Sequence, residues 1–153
     1  MERKILFRGK RVDTGEWVQG FFVAYDDETY IFTDEEVKKG IDLGGYLDCC
    51  QMHQVIPETV GEWTGLEDRH DTKIFEGDVV AKYDFWLGEI RDTAPRKLVE
   101  WAYGSCGFEP FSDSQENCGP CGCGDDPKYV KVVGNIHDNP ELVRRYNLAT
   151  AIC

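Results

Sequence analysis

The stretch that most restricts the fold is Thr64 to Val80, Thr-Gly-Leu-Glu-Asp-Arg-His-Asp-Thr-Lys-Ile-Phe-Glu-Gly-Asp-Val-Val. It reads as a turn, a short polar loop, the apolar pair Ile74 and Phe75, a second turn at Glu76-Gly77-Asp78, and then a strand. Glycine accepts the positive φ that a sharp turn demands, and the aspartate carboxylate can accept backbone N–H groups that the turn leaves unpaired. Gly77 and Asp78 are therefore assigned as structural turn residues. A Gly-Asp pair opening a branched strand, here Val79 to Tyr83, is frequent in small SH3-like barrels.

At 153 residues, with 41% hydrophobic and 12% aromatic side chains, the chain has enough apolar surface for a folded core and fits one ordinary domain or two very small ones, with a single domain over 1–153 as the expectation. Its formal net charge of −12 disfavours a nucleic-acid partner for the surface as a whole, because such affinity rests largely on Lys and Arg contacts to phosphate. One local basic cluster stands out: Arg3, Lys4, Arg8, Lys10 and Arg11. It is either a nucleic-acid contact or the solvated faces of an N-terminal hairpin. Met-Glu-Arg-Lys is followed by only three apolar residues, and the longest apolar run, Phe21 to Tyr25, is too short to span a bilayer. The expectation is a soluble cytoplasmic protein with no membrane association, whose seven cysteines are reduced or bind metal.

In chain order, Ile5 to Val12 and Glu16 to Tyr25 flank the turn tripeptide Asp13-Thr14-Gly15. Asp26-Asp27-Glu28 makes the next turn, and Thr29 to Thr33 is a short β-prone run. These predict an antiparallel meander over about 1–56. Asp34 can cap one helical turn, Glu35 to Lys39, ended by Gly40. The acidic run Asp26 to Glu36 reads as a solvated edge, with a partner-binding patch as the alternative. Val55-Ile56 and Val60 to Thr64 are strand-like, separated by Pro57. Phe85 to Arg91, Lys97 to Tyr103, Gly107 to Phe111 and Lys128 to Val133 are further strand candidates, in a barrel-like part spanning about 57–137. A polar, glycine-rich loop fills 112–127. Asn139 as N-cap, Pro140 at the first helical position and Glu141 in the first turn predict a short helix over Pro140 to Tyr146. Leu142 is expected to be buried against the sheet, and 147–153 to form a tail.

No phosphate-binding loop, dinucleotide fingerprint or nucleophile elbow is present; Gly104-Ser105-Cys106-Gly107 lacks the elbow's spacing. His53, His70 and His137 are scattered. His70 beside Asp68 and Asp71 suggests either a metal or acid–base site or a plain exposed turn. Glu76 and Asp78 are better explained by the turn than as an acid–base pair. No catalytic residue is assigned. Cys49-Cys50 are adjacent and cannot jointly clasp a metal without strain. Cys118-Gly-Pro-Cys121 has thioredoxin-like spacing, but Gly122 to Pro127 cannot open the helix that would lower the thiol pKa. With Cys123 and Cys106, these thiols make a candidate four-thiolate zinc site, against ordinary reduced thiols as the plainer reading. No cofactor is expected beyond that zinc.

A second signature, Val133-Gly-Asn-Ile-His-Asp-Asn-Pro-Glu-Leu142, lies near the C-terminus. Together with Arg8 to Val12, Trp17 and the central stretch, its order and spacing resemble the YopX family, small proteins carried by phages and prophages. The resemblance implies a mainly β fold, a small SH3-like barrel or pseudo-barrel with an N-terminal meander and a short C-terminal helix. In that family the loop after Thr-Gly-Leu usually carries an Asn-Gly turn; here His70-Asp71 takes its place. The family supplies no catalytic residues. The expected role is a non-enzymatic phage or prophage accessory protein that binds a protein partner and self-associates. The rivals are an enzyme whose site is assembled from scattered residues, a nucleic-acid-associated protein using the basic N-terminal strand, and an acidic DNA mimic.

Overall fold

In the computed structural model, the described residues are 4–33, 52–84, 86–91, 94–103, 106–111 and 126–146. The expected helical turn Glu35 to Lys39, Cys49-Cys50, nearly all of the 112–127 loop and the 147–153 tail lie outside them. The described structure is mainly β, with one short α-helix, and the chain divides into two compact units, Met1–Trp63 and Thr64–Cys153.

The first unit is an antiparallel sheet in the order β4-β3-β2-β1-β5: β1 Phe7–Lys10, β2 Trp17–Tyr25, β3 Glu28–Thr33, β4 His53–Gln54 and the opening residues of β5 Gly61–Glu67. Arg8 stands opposite Gln19 and Lys10 opposite Trp17, and on β3 Phe32 stands opposite Phe21. Because side chains alternate along a strand, this register sends Val18 and Ile31 to one face. There they join Val55, Phe7 and Val60 in a core. Asp26 and Asp27 both adopt positive φ, 48° and 66°, so the β2–β3 hairpin closes through a two-residue turn with Tyr25 paired to Glu28. Such turns match strand twist, and aspartate is one of the few residues that enters them at low cost. The N–H of Lys10 donates to Thr59 Oγ1 at 2.9 Å, tying a 3-10 turn at Pro57–Thr59 to β1.

The second unit begins within β5, whose later residues run beside β6 Lys73–Phe75. A three-stranded sheet follows in the order β11-β7-β8, from β7 Asp78–Lys82, β8 Arg96–Leu98 and β11 Val130–Asn135. A separate two-stranded sheet pairs β9 Glu100–Ala102 with β10 Gly107–Glu109. Ile74, Val80, Val99, Phe108 and Val130 are buried together, with Leu66, Phe111 and Val132 packed against them.

Several expectations are corrected here. Among the described residues, the antiparallel sheets do not close into an SH3-like barrel. Lys97 to Tyr103 is not one strand: at Val99 the backbone leaves β8, because its N–H donates to the Asp78 carbonyl and its carbonyl accepts from Gly77 N–H, both at 2.8 Å. Those bonds hold Val99 in the core and send β9 into a different sheet. Phe85 to Arg91 is not a strand either, since residues 86–88 form a tight turn. The last strand starts at Val130 rather than Lys128, because Asp126 caps a 3-10 turn at Pro127–Tyr129 by accepting from Lys128 N–H.

The helix, α1 Pro140–Tyr146, falls where its cap sequence placed it. Asn139 turns its side-chain oxygen back to the Asn135 N–H at 3.3 Å, and its carbonyl accepts from Leu142 N–H. Leu142 is only half-buried, which corrects the expectation of full burial: a two-turn helix covers little of the sheet. Its Cδ1 would lie 2.8 Å from a β-carbon added at Gly134, so the missing side chain there is what admits α1.

Gly20 shows the tightest packing in the first unit. A β-carbon built there would lie 1.7 Å from the Phe32 carbonyl oxygen, which no side-chain rotation relieves. Gly20→Ala is expected to destabilise the protein by about 3 kcal/mol or more, as overpacking against backbone does. An unchanged urea midpoint would show that β2 and β3 separate freely at this position.

Candidate binding site

One end of the second unit gathers three connections: residues 68–72 between β5 and β6, 83–91 after β7, and the 3-10 turn before β11. Asp68 organises the first. Its side chain is buried, Oδ1 accepts the N–H groups of His70 at 2.7 Å and Thr72 at 3.0 Å, and Oδ2 accepts Val132 N–H at 2.9 Å. One carboxylate thus holds a loop in shape and fastens it to a strand 64 residues further along. Asp71, at φ 60°, takes the left-handed position of this turn, doing here what an asparagine does at low strain.

Tyr83 stands at the centre of the same end. The Arg69 guanidinium lies over its ring at 4.4 Å, His70 meets the ring edge-on at 5.9 Å, and its N–H donates to the Tyr129 carbonyl at 2.7 Å. Its hydroxyl donates to the Gly88 carbonyl. Beyond Tyr83, Asp84 builds a tight turn. Its Oδ1 accepts from Trp86 N–H at 2.9 Å and Leu87 N–H at 3.2 Å, its Oδ2 meets Arg91 Nε at 2.5 Å, and Gly88 at φ 72° closes the loop. Partial desolvation would raise the Asp84 pKa, but the Leu87 and Trp86 N–H groups and the Arg91 charge outweigh it and hold the pKa below 3.8. This turn carries Trp86 at 92% exposure and Leu87 at 56%. The arrangement is a hydrogen-bonded polar base with an apolar tip in solvent.

The residues singled out in the sequence are distributed otherwise. Gly77 adopts φ 82°, and Asp78, buried, accepts Phe75 N–H at Oδ2 from 2.8 Å. The two signature stretches meet at this point: Ile136 N–H donates to the Gly77 carbonyl at 2.9 Å, and a β-carbon at Gly77 would lie 3.8 Å from His137 Nε2. Glu76 and Asp78 therefore occupy one turn, with Asp78 facing the backbone. His53 lies on β4, where Arg11, Val12, Asp13, Met52, His53 and Gln54 line a recess of about 220 Å³ in the first unit. That is smaller than the usual ligand pocket, and Arg11 is closed onto Asp13 through two bonds of 2.9 and 2.6 Å, an interaction that lowers the Asp13 pKa. Cys106 is exposed, its Sγ 3.5 Å from the Tyr103 carbonyl, whereas Cys118, Cys121 and Cys123 lie outside the described residues. Among the described residues, no group of three His, Cys, Asp or Glu side chains is placed to hold a metal, and no helix is long and apolar enough to cross a membrane. Trp86 was missed in the sequence because it sits within the apolar run Phe85-Trp86-Leu87 of a segment read as a strand. The available signal was Asp84 two residues before Trp86, with Gly88 closing the turn.

The YopX protein family matches residues 6–144, most of the chain. The chain belongs to the YopX family. A crystal structure of protein EF1440 from Enterococcus faecalis is similar over 93% of this chain and 99% of that one, with a TM-score of 0.50 and 20% identity, a likeness of fold alone. No curated protein matches.

Two outcomes test the loops at this end of the second unit of this YopX protein. Asp68→Ala strips three buried or half-buried N–H groups of their acceptor and is expected to cost about 2–4 kcal/mol in urea unfolding; a loss under about 0.5 kcal/mol would mean water replaces the carboxylate. For Asp84, a lowered pKa means its carboxylate supports the turn above 3.8 and releases it as pH falls through the lower folded value. The amide shifts of Trp86 and Leu87 should therefore titrate with a midpoint below 3.8, and a midpoint above it would contradict the geometry.

Proposed function

We propose that this YopX protein is a non-enzymatic phage or prophage accessory protein that works in the bacterial cytoplasm by binding a protein partner, with Trp86 and Leu87 as its anchors. The observation that carries the reading is the 92% exposure of Trp86 on a turn held by Asp84, Arg91 and Tyr83. A large apolar side chain gains nothing from water, and folding stability does not call for placing it there. Tryptophan is the side chain most enriched among residues that dominate binding energy, and such anchors act best when their backbone is ordered before the partner arrives.

The test compares partner recovery by the parent protein and by Trp86→Ala in lysate of the native host after phage induction. A tryptophan anchor is worth about 2 kcal/mol or more, so the variant should lose its partner by roughly 30-fold while unfolding at the same urea concentration. Equal recovery on both proteins would overturn the reading. Self-association is read alongside: a concentration-dependent sedimentation shift that Trp86→Ala removes would put a second copy in the partner's place.

A further inference from the structure

Among the described residues of the first unit, a stretch of strand edge is left bare. β1 pairs with β2 only over Trp17 to Gly20, and β2 continues for five more residues, Phe21 to Tyr25. On its other side β2 is paired with β3 along that whole length. Residues of an antiparallel pair alternate between exchanging backbone bonds with each other and pointing those groups outward. Val55 fixes the phase, because its N–H donates to the Thr29 carbonyl at 2.9 Å. Thr29 therefore faces away from β2. Ala24, opposite it, and Phe22, two residues earlier, face away from β3. The N–H and C=O groups of Phe22 and Ala24 meet no strand among the described residues. Beside them, Val23 and Tyr25 are exposed at 39% and 75%.

Exposed apolar edges are where chains pair, and proteins that stay apart guard them with lysine, proline, a bulge or a very short strand. Phe-Phe-Val-Ala-Tyr carries no charge and no proline, and its register against β3 runs without a bulge. We propose that this edge pairs antiparallel with the same edge of a second copy of the chain, about a two-fold axis at Val23.

The strand is complementary to itself in that register. Phe22 stands opposite Ala24 of the second copy, and Ala24 opposite its Phe22, so every outward backbone group of the two residues finds a partner. Side chains fit in the same way. On one face a large residue meets a small one twice over. On the other, Phe21 meets Tyr25, and Val23 meets its own copy at the close spacing of about 4.5 Å between Cα atoms. Moving the axis to Phe22 would set Ala24 against Gly20, whose edge β1 already holds; moving it to Ala24 would set Phe22 against Asp26, in the turn. The contact is short, so the dimer is weak, with a dissociation constant on the order of 10 μM. It is independent of the Trp86 turn, which belongs to the other unit.

Sedimentation velocity of the full chain from about 1 to 200 μM brackets that constant. The parent should pass from monomer to dimer over the range, and Trp86→Ala should do the same. Val23→Lys sets two ammonium groups against each other on the axis and should weaken the dimer at least about tenfold. Val23→Glu should do likewise, and mixing the two variants should restore a dimer of near-parent affinity. Ala24→Pro deletes an outward N–H, which an edge strand tolerates, and should weaken the dimer to a similar extent. The Val23 variants, at an exposed position, carry the test if proline disturbs the fold. A dimer unaffected by Val23→Lys, or a lysine–glutamate mixture that stays monomeric, would overturn the pairing. A parent that stays monomeric throughout would also overturn it and leave the edge to an extended segment of a different protein. A dimer lost in Trp86→Ala but kept in Val23→Lys would overturn it too, moving self-association to the turn.

Discussion

The second unit depends on the backbone of Gly77 and Asp78 being bonded from three directions at once. Gly77 donates to Val99 and accepts from Ile136, Val99 donates back to Asp78, and Phe75 donates to the Asp78 carboxylate. Each bond contributes only about 1 kcal/mol net, but leaving such a buried group unmade costs more than making it gains. The turn therefore acts less as a source of stability than as a rule: β6, the β8–β9 junction and the end of β11 must all arrive together. Gly77, at φ 82°, meets that rule without side-chain strain. The same crossing explains the open architecture. A strand whose middle residue is claimed by a turn cannot continue its own ladder, so β8 and β9 part company at Val99.

How much of this was legible in the sequence follows from how local each cause is. The Gly77-Asp78 turn, the Asp26-Asp27 hairpin and the Asn139-Pro140-Glu141 helix start are decided by side chains within a few residues of the backbone they shape. Each could be read directly. The break at Val99 could not, because its partners lie more than 20 residues earlier. Asp68, with His70 and Asp71, was open to being read as a metal or acid–base site or as a plain exposed turn; nothing near it announces that Val132 supplies one of its three N–H groups. The strand expected over Phe85 to Arg91 failed for a different reason. An apolar run such as Phe85-Trp86-Leu87 is compatible equally with a turn whose amides are captured by one upstream aspartate.

Carboxylates dominate this chain's charge, and the described ones divide by what they face. Asp68, Asp78, Asp84 and Asp126 accept backbone N–H groups and so serve as building material. Counting them as a diffuse negative surface overstates the field a partner meets and understates the precision of the loops. The basic residues divide in a parallel way: Arg91 completes the Asp84 turn, Arg11 closes on Asp13, and Arg69, Arg8 and Lys10 lie over aromatic rings. Net charge alone therefore gives a poor forecast of recognition, because the charges named here already have local work.

For the role proposed above, the relevant property is the order of the turn that carries Trp86. A flexible loop that presents a tryptophan must be ordered when it binds, at roughly 1–2 kcal/mol for each backbone residue fixed. The 84–88 turn has met most of that cost in folding, through Asp84 on Trp86 and Leu87, Arg91 on Asp84, and Tyr83 on Gly88. Tyr83 is itself braced by Arg69, whose loop is held by Asp68. The chain of support thus runs from a buried carboxylate, through a stacked arginine and a tyrosine, to the turn bearing the exposed indole. Along it, exposure rises from the buried Asp68 carboxylate to the exposed side chains of Trp86 and Leu87.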